Sequence, residues 1–133
     1  MRTLSILTWH VHGNYLYYLS HIPHRIYLPV SRERRGDYMG RGTGFPWGDN
    51  VIEVPAEQVR QLDLDCVLFQ RPEHYLNDQY ALLSERQRAL PKIYLEHDPP
   101  RLHPTDTRHW VDDPAVLLVH VTFFNAMMWD NGR

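Results

Sequence analysis

Leu4-Ser-Ile-Leu-Thr-Trp9 passes directly into His10-Val-His-Gly-Asn14. An aliphatic run that ends at a glycine reads as a strand turning into a helix, here Asn14 to Ser20 with Asn14 as N-cap. Four more runs have the same strand character: Arg25-Ile-Tyr-Leu-Pro-Val30, Asp65-Cys-Val-Leu-Phe-Gln70, Lys92-Ile-Tyr-Leu-Glu96 and Ala115-Val-Leu-Leu-Val-His-Val121. Several are continuously aliphatic rather than alternating, as strands buried on both faces of a parallel sheet are.

Helical patterns separate these runs. Pro55 to Leu62 opens with proline in its first turn and Glu57 nearby, both helix-start signals. Glu73 to Ala89 carries Tyr75, Leu76, Tyr80 and Leu83 near helical spacing, with Leu90 following, and Pro91 closes it. Thr122 to Asp130 sets Phe123 against Met127 and Phe124 against Met128 at i, i+4, then runs out at Asn131-Gly132. The order βαβ, loop, αβαβα predicts a parallel sheet with right-handed crossovers. The expected fold is α/β, a Rossmann-like three-layer α/β/α sandwich with a mostly parallel sheet. Ser31 to Asn50, with four arginines and five glycines, reads as a long surface loop, and Pro99 to Pro114 as a second one.

Composition sets the outer limits. The chain has 133 residues, 43% hydrophobic and 23% charged, enough for one domain with a substantial core. Neither an overall nucleic-acid footprint nor a polybasic membrane anchor follows from a net charge of −2. The single cysteine, Cys66, permits no internal disulfide and no cysteine framework for zinc. It is expected to be an inert buried thiol in a reducing compartment. The longest apolar run, Val116 to Phe124, is interrupted by His120 and too short to cross a bilayer. Together these predict a cytoplasmic chain with no integral membrane segment and no nucleic-acid partner.

Open α/β sheets bind ligands beyond the carboxyl ends of their strands. The residues expected there are His10 to Asn14, Gln70-Arg71-Pro72, Glu96-His97-Asp98-Pro99 and His120-Val121-Thr122. Gly13 either lets the backbone approach a phosphate or serves a tight turn. His10 and His12, at alternate positions, suit half of a metal site completed by Glu96, His97 and Asp98, or packing near Trp9. His97 is placed to bond a substrate hydroxyl or take its proton, with Asp98 tuning its charge, or else to cap loop carbonyls. Arg32, Arg34, Arg35 and Arg41 suit an anion or a solvated face partly neutralised by Glu33 and Asp37. Phe123, Phe124, Met127, Met128 and Trp129 read as core packing.

The stretches Ile6 to Asn14, Asp65 to Gln70, Ile93 to Asp98 and Val116 to Phe124, with the helix running to Trp129-Asp-Asn-Gly132, carry a family likeness. They resemble the N-terminal domain of GT-B fold glycosyltransferases of the family 4 type (glycosyl transferase group 1), over essentially the whole chain. The resemblance implies two Rossmann-like domains facing across a cleft, the first mainly holding the acceptor and the second the sugar nucleotide. It implies retaining transfer from a nucleotide-diphosphate sugar to a carbohydrate or other hydroxyl acceptor, with no metal and no cofactor beyond that co-substrate. By position it implies Gly13 and Asn14 near the donor diphosphate, His97 at the transferred sugar and Thr122 on the cleft floor, with Asp98 beside His97 as a catalytic residue and His12 among the substrate- and donor-binding ones. It implies further that residues 1–133 form one acceptor-side domain, ending before that domain's last strand and without the C-terminal donor domain. Little or no activity is then expected from the chain alone. Two other readings stand beside it: a metal-dependent hydrolase using His10, His12, His97 and Asp98, and a non-catalytic Rossmann-like binding module.

Overall fold

A computed structural model of the chain describes residues 2–103 and 105–130. In chain order its elements are β1 (Ser5–Leu7), α1 (Gly13–Leu19), β2 (Arg25–Val30), β3 (Val51–Pro55), β4 (Cys66–Phe69), α2 (Gln79–Leu82), α3 (Glu85–Arg88), β5 (Lys92–Glu96), β6 (Thr107–Arg108), β7 (Val116–His120), α4 (Phe123–Met128) and β8 (Trp129–Asp130). Six strands form one sheet in the order β3-β2-β1-β4-β5-β7, and every neighbouring pair is parallel. The expected α/β fold, a mostly parallel sheet flanked by helical segments, is the observed one. β6 and β8 make a small separate parallel pair.

Pairing register decides which side chains share a face. Leu7, Tyr27 and Ile52 are matched across β1, β2 and β3, as are Phe69 and Tyr94 across β4 and β5. This face carries the larger core, in which Leu7, Trp9, Val67, Phe69 and Tyr94 pack on Val59, Leu82, Leu83 and Val111. On the opposite face Ile26, Leu28 and Val51 pack on Leu16 of α1 and on Trp47.

Several elements differ from the sequence expectation, each for a local reason. β3 lies where no strand is expected, because Glu53 and Pro55 make Val51–Pro55 look unlike a buried strand. It is an edge strand, and its Glu53 carboxylate faces Arg34. Pro55 to Leu62 is a 3-10 segment, Ala56–Gln61, rather than an α-helix, and Pro55 closes β3. The single long helix over Glu73 to Ala89 is split. His74–Asp78 form a π-helical turn, α2 follows, and Leu83 leaves the helix at φ −95°, ψ 150°. Ser84 then opens α3 with a capping box: its Oγ accepts from Gln87 N at 3.2 Å, and its N–H donates to Gln87 Oε1 at 3.0 Å. The Gln87 side-chain amide donates to Val59 O and Leu62 O at 2.8 and 2.9 Å, which ties α3 to the 3-10 segment.

At the end of the described chain α4 stops at Met128, and Trp129 and Asp130 turn into β8. The expected helix end at Asn131-Gly132 lies outside the described residues. Phe123, Phe124 and Met127 are not core: they are 86%, 63% and 67% exposed. The helix turns Asn125 inward instead, donating to His97 O at 3.2 Å.

Candidate functional site

The strand order reverses direction between β1 and β4, the place where a doubly wound sheet opens a crevice at its carboxyl edge. A cleft of about 440 Å³ lies on that edge, reached by His12 after β1, Gln70 and Arg71 after β4, Asp98 after β5, and Trp110 and Trp129 from the loop and β8.

Gln70 organises the floor. It is 3% exposed, and its side-chain nitrogen donates to Thr8 Oγ1 at 2.8 Å and Trp9 O at 3.0 Å. The Thr8 hydroxyl donates onward to Leu68 O at 2.9 Å. The remaining amide oxygen, Oε1, lies 2.9 Å from His97 Nε2. One buried side chain thereby links the ends of β1, β4 and β5.

His97 is half-buried between two rings, with His12 at 4.5 Å and Tyr15 at 4.9 Å between centroids. Burial, reinforced by His12, pushes its pKa down to about 4 against the opposing pull of Asp98 and Glu96. At neutral pH the ring is uncharged. Asp98 is exposed at the cleft; its backbone N–H donates to Glu96 Oε2 at 3.1 Å and its carbonyl accepts from Trp129 Nε1 at 2.9 Å.

Other expected site residues take structural duties. His12 rather than Asn14 is the N-cap of α1, in left-handed backbone at φ 50°, and Asn14 sits inside the first turn. A Cβ at Gly13 would stand 3.2 Å from Phe45 Cε2 and 3.3 Å from His10 Nε2, so packing against Phe45 accounts for the glycine. Thr122 caps α4, its Oγ1 accepting from Asn125 N at 3.0 Å. His10 and His12 do not share a strand face, because β1 ends at Leu7. His10 packs edge-on against Trp47 and bonds Gly40 O through Nδ1. Among the described residues no three His, Cys, Asp or Glu side chains converge as metal ligands would.

The arginine-rich loop is held inward at two points. Arg34 forks onto Glu53 at 2.9 and 3.1 Å, keeping that carboxyl below its usual range, and Arg41 donates to Trp47 O at 2.9 Å. Cys66 is half-buried in β4, and burial pushes its thiol pKa up.

Two buried histidines support the cleft and were not singled out from sequence. His74, fully buried and stacked on Trp9 at 4.2 Å, accepts from Gln70 N and Arg71 N on Nδ1, each at 3.2 Å. Its Nε2 donates to Asp37 at 2.8 Å. His109 accepts from Val111 N on Nδ1 at 3.0 Å and donates from Nε2 to Glu96 Oε1 at 2.8 Å. Their only sequence signal is an unusual count of nine histidines, which marks neither position.

No helix among the described residues is long and apolar enough to cross a membrane. Comparisons with family models, with curated proteins and with solved structures return no match.

Proposed function

We propose that this chain is the acceptor-side domain of a GT-B type, family 4-like retaining glycosyltransferase, which moves a sugar from a nucleotide-diphosphate donor to a hydroxyl acceptor. The observation that carries the reading is the assembly around His97. A neutral, half-buried imidazole held by Gln70 stands beside a cleft with tryptophan walls, at the carboxyl edge of a 3-2-1-4-5 parallel sheet.

A neutral imidazole suits contact with sugar hydroxyls, which both donate and accept hydrogen bonds. Trp110 and Trp129 offer apolar ring surface at the cleft, which suits the C–H faces of a saccharide, while their N–H groups point inward, that of Trp129 onto Asp98 O. Diphosphate departure needs compensating positive charge. The cleft's cations, Arg71 and Arg101, stand among Glu73, Glu96 and Asp98, so that charge is assigned to a donor domain. On this reading the chain by itself binds acceptor and turns over little or none.

The test is saccharide binding by this chain, followed through the amide and indole N–H resonances. Oligosaccharides are expected to move signals of Asp98, Trp110 and Trp129 while leaving those of Val51–Pro55 in place. A folded chain whose cleft signals respond to no saccharide in a broad panel would refute the reading in favour of a different binding module.

A further inference from the structure

We infer that Gln70 is a positioning residue that fixes His97 as a hydrogen-bond acceptor toward its ligand, by holding the ring hydrogen on Nε2 and leaving Nδ1 bare. The orientation of the Gln70 amide is fixed by its partners. Trp9 O, 3.0 Å away, has only lone pairs to offer, so the group facing it is the NH2. Thr8 spends its hydroxyl hydrogen on Leu68 O, so its oxygen takes the second amide hydrogen. Both hydrogens are committed, and the amide cannot flip without setting its oxygen against a carbonyl at the floor of the cleft.

Oε1 is therefore the atom that meets His97 Nε2 at 2.9 Å. An amide oxygen accepts only, so Nε2 must carry the hydrogen. In the neutral ring the second nitrogen then has none. Among the described residues Nδ1 has no hydrogen-bond partner, and it is not one of the buried polar atoms left unpaired, so it reaches solvent. His74 and His109 spend both ring nitrogens inside the protein. His97, like His10 and His24, is fixed through one nitrogen, and of these three it is the one held by Gln70 at the floor of the cleft.

The consequence for ligand choice rests on the glycosyltransferase reading. A bare imidazole nitrogen takes a hydrogen from a sugar hydroxyl and repels an anionic phosphate oxygen. His97 is thus fitted to a neutral hydroxyl of the saccharide, and the diphosphate must be held elsewhere.

The tautomer is measured directly by long-range 15N–1H correlation of the imidazole rings in this chain, which needs no substrate and so stands or falls apart from the transfer reaction. The wild type is expected to show His97 as a fixed Nε2–H tautomer with an unprotonated Nδ1 at neutral pH. A protonated Nδ1, or a rapidly averaged pair, would overturn the inference. Gln70→Leu is expected to release the ring into averaged tautomers while His74 and His109 keep their fixed patterns, which report that the fold is intact. An unchanged His97 pattern in that folded variant would also overturn it.

If Gln70→Leu loses the His74 and His109 patterns, Gln70→Glu decides. A Glu there must carry its proton on the oxygen facing Trp9 O, donating in place of the lost amide hydrogen, and its other oxygen still accepts from Nε2, so the fixed tautomer should persist in the folded variant. A Gln70→Glu variant lacking the Nε2–H tautomer contradicts the assignment.

Discussion

His109 Nε2 donates to Glu96 Oε1 at 2.8 Å with both side chains buried, and the other carboxylate oxygen of Glu96 accepts from Asp98 N at 3.1 Å. This pair fixes the exit of β5, and with it the stretch that carries His97 and Asp98, against the loop that carries Trp110. The loop is further held by Val111 N donating to His109 Nδ1.

Removing one member of a buried polar pair leaves the other without compensation. His109→Ala is expected to cost about 3 kcal/mol of unfolding free energy, and Glu96→Gln, which keeps the shape and one acceptor oxygen and can turn its NH2 toward the less buried Asp98 N–H, less. Urea unfolding of the two variants checks the order. Equal and small losses would mean that the pair does not hold the loop.

His97 makes stability depend on pH with a definite sign. Its pKa is about 4 in the folded chain against the ordinary 6.5, so between those values the unfolded chain binds more protons. Stability contributed by the neutral ring is present above about pH 6.5 and falls away as pH drops toward 4. The difference between wild type and His97→Gln in urea unfolding should change across that window and be level above it. A level difference throughout would place the ring in solvent rather than between His12 and Tyr15.

Gly40 has φ +75°, and a Cβ there would collide with Glu53 Oε2 and approach Val30 Cγ1 to 2.7 Å. Glu53 is already committed to Arg34 and to the Arg41 N–H. Gly40→Ala should therefore lower stability by about 2 kcal/mol, the cost of a strained backbone plus the displaced carboxylate. Gly44→Ala, where nothing lies within 4 Å, should stay within about 0.5 kcal/mol of wild type. Thermal melting of the two variants separates an ordered, glycine-dependent loop from a loosely solvated one, in which both changes would be silent.

Phe123 and Phe124 lie outside the core, at 86% and 63% exposure. Replacing either with Ser should change unfolding free energy by about 0.5 kcal/mol or less. A buried phenylalanine would lose about 3 kcal/mol or more on truncation to a small residue. Denaturant midpoints of the two variants decide between those outcomes.

The fold was legible where one physical signal dominates. Continuous aliphatic runs at Leu4–Trp9, Arg25–Val30, Asp65–Gln70, Lys92–Glu96 and Ala115–Val121 all contain sheet strands; burial leaves the inner ones little room for polar residues, and β7 keeps an aliphatic run at the other edge with Leu117 exposed. β3 escaped because an edge strand keeps polar positions, and Glu53 uses one. The break at Leu83 was signalled by Ser84 and Gln87, a capping box inside a longer apolar pattern, and periodicity outweighed it. At the site, the rule that ligands gather at the carboxyl ends of strands led to the edge where the cleft lies, lined by His12 and Asp98, with His97 behind them on Gln70. It did not separate side chains facing the cleft from those holding it. Gln70, His74 and His109 act through partners 27 to 62 positions away or through a single buried carboxylate, and no local pattern encodes such contacts.

If His97 serves glycosyl transfer, as proposed, the reaction itself is the assay that decides it. The chain is supplied with a family 4-type donor domain, joined in cis, and product formation from nucleotide-diphosphate sugars is compared for wild type and His97→Ala. Transfer by the wild type is expected, with a loss of at least about a hundredfold in the variant, about 2.7 kcal/mol in the barrier, and the melting temperature of this domain little changed. Equal transfer by the two proteins, both folded, would contradict that role.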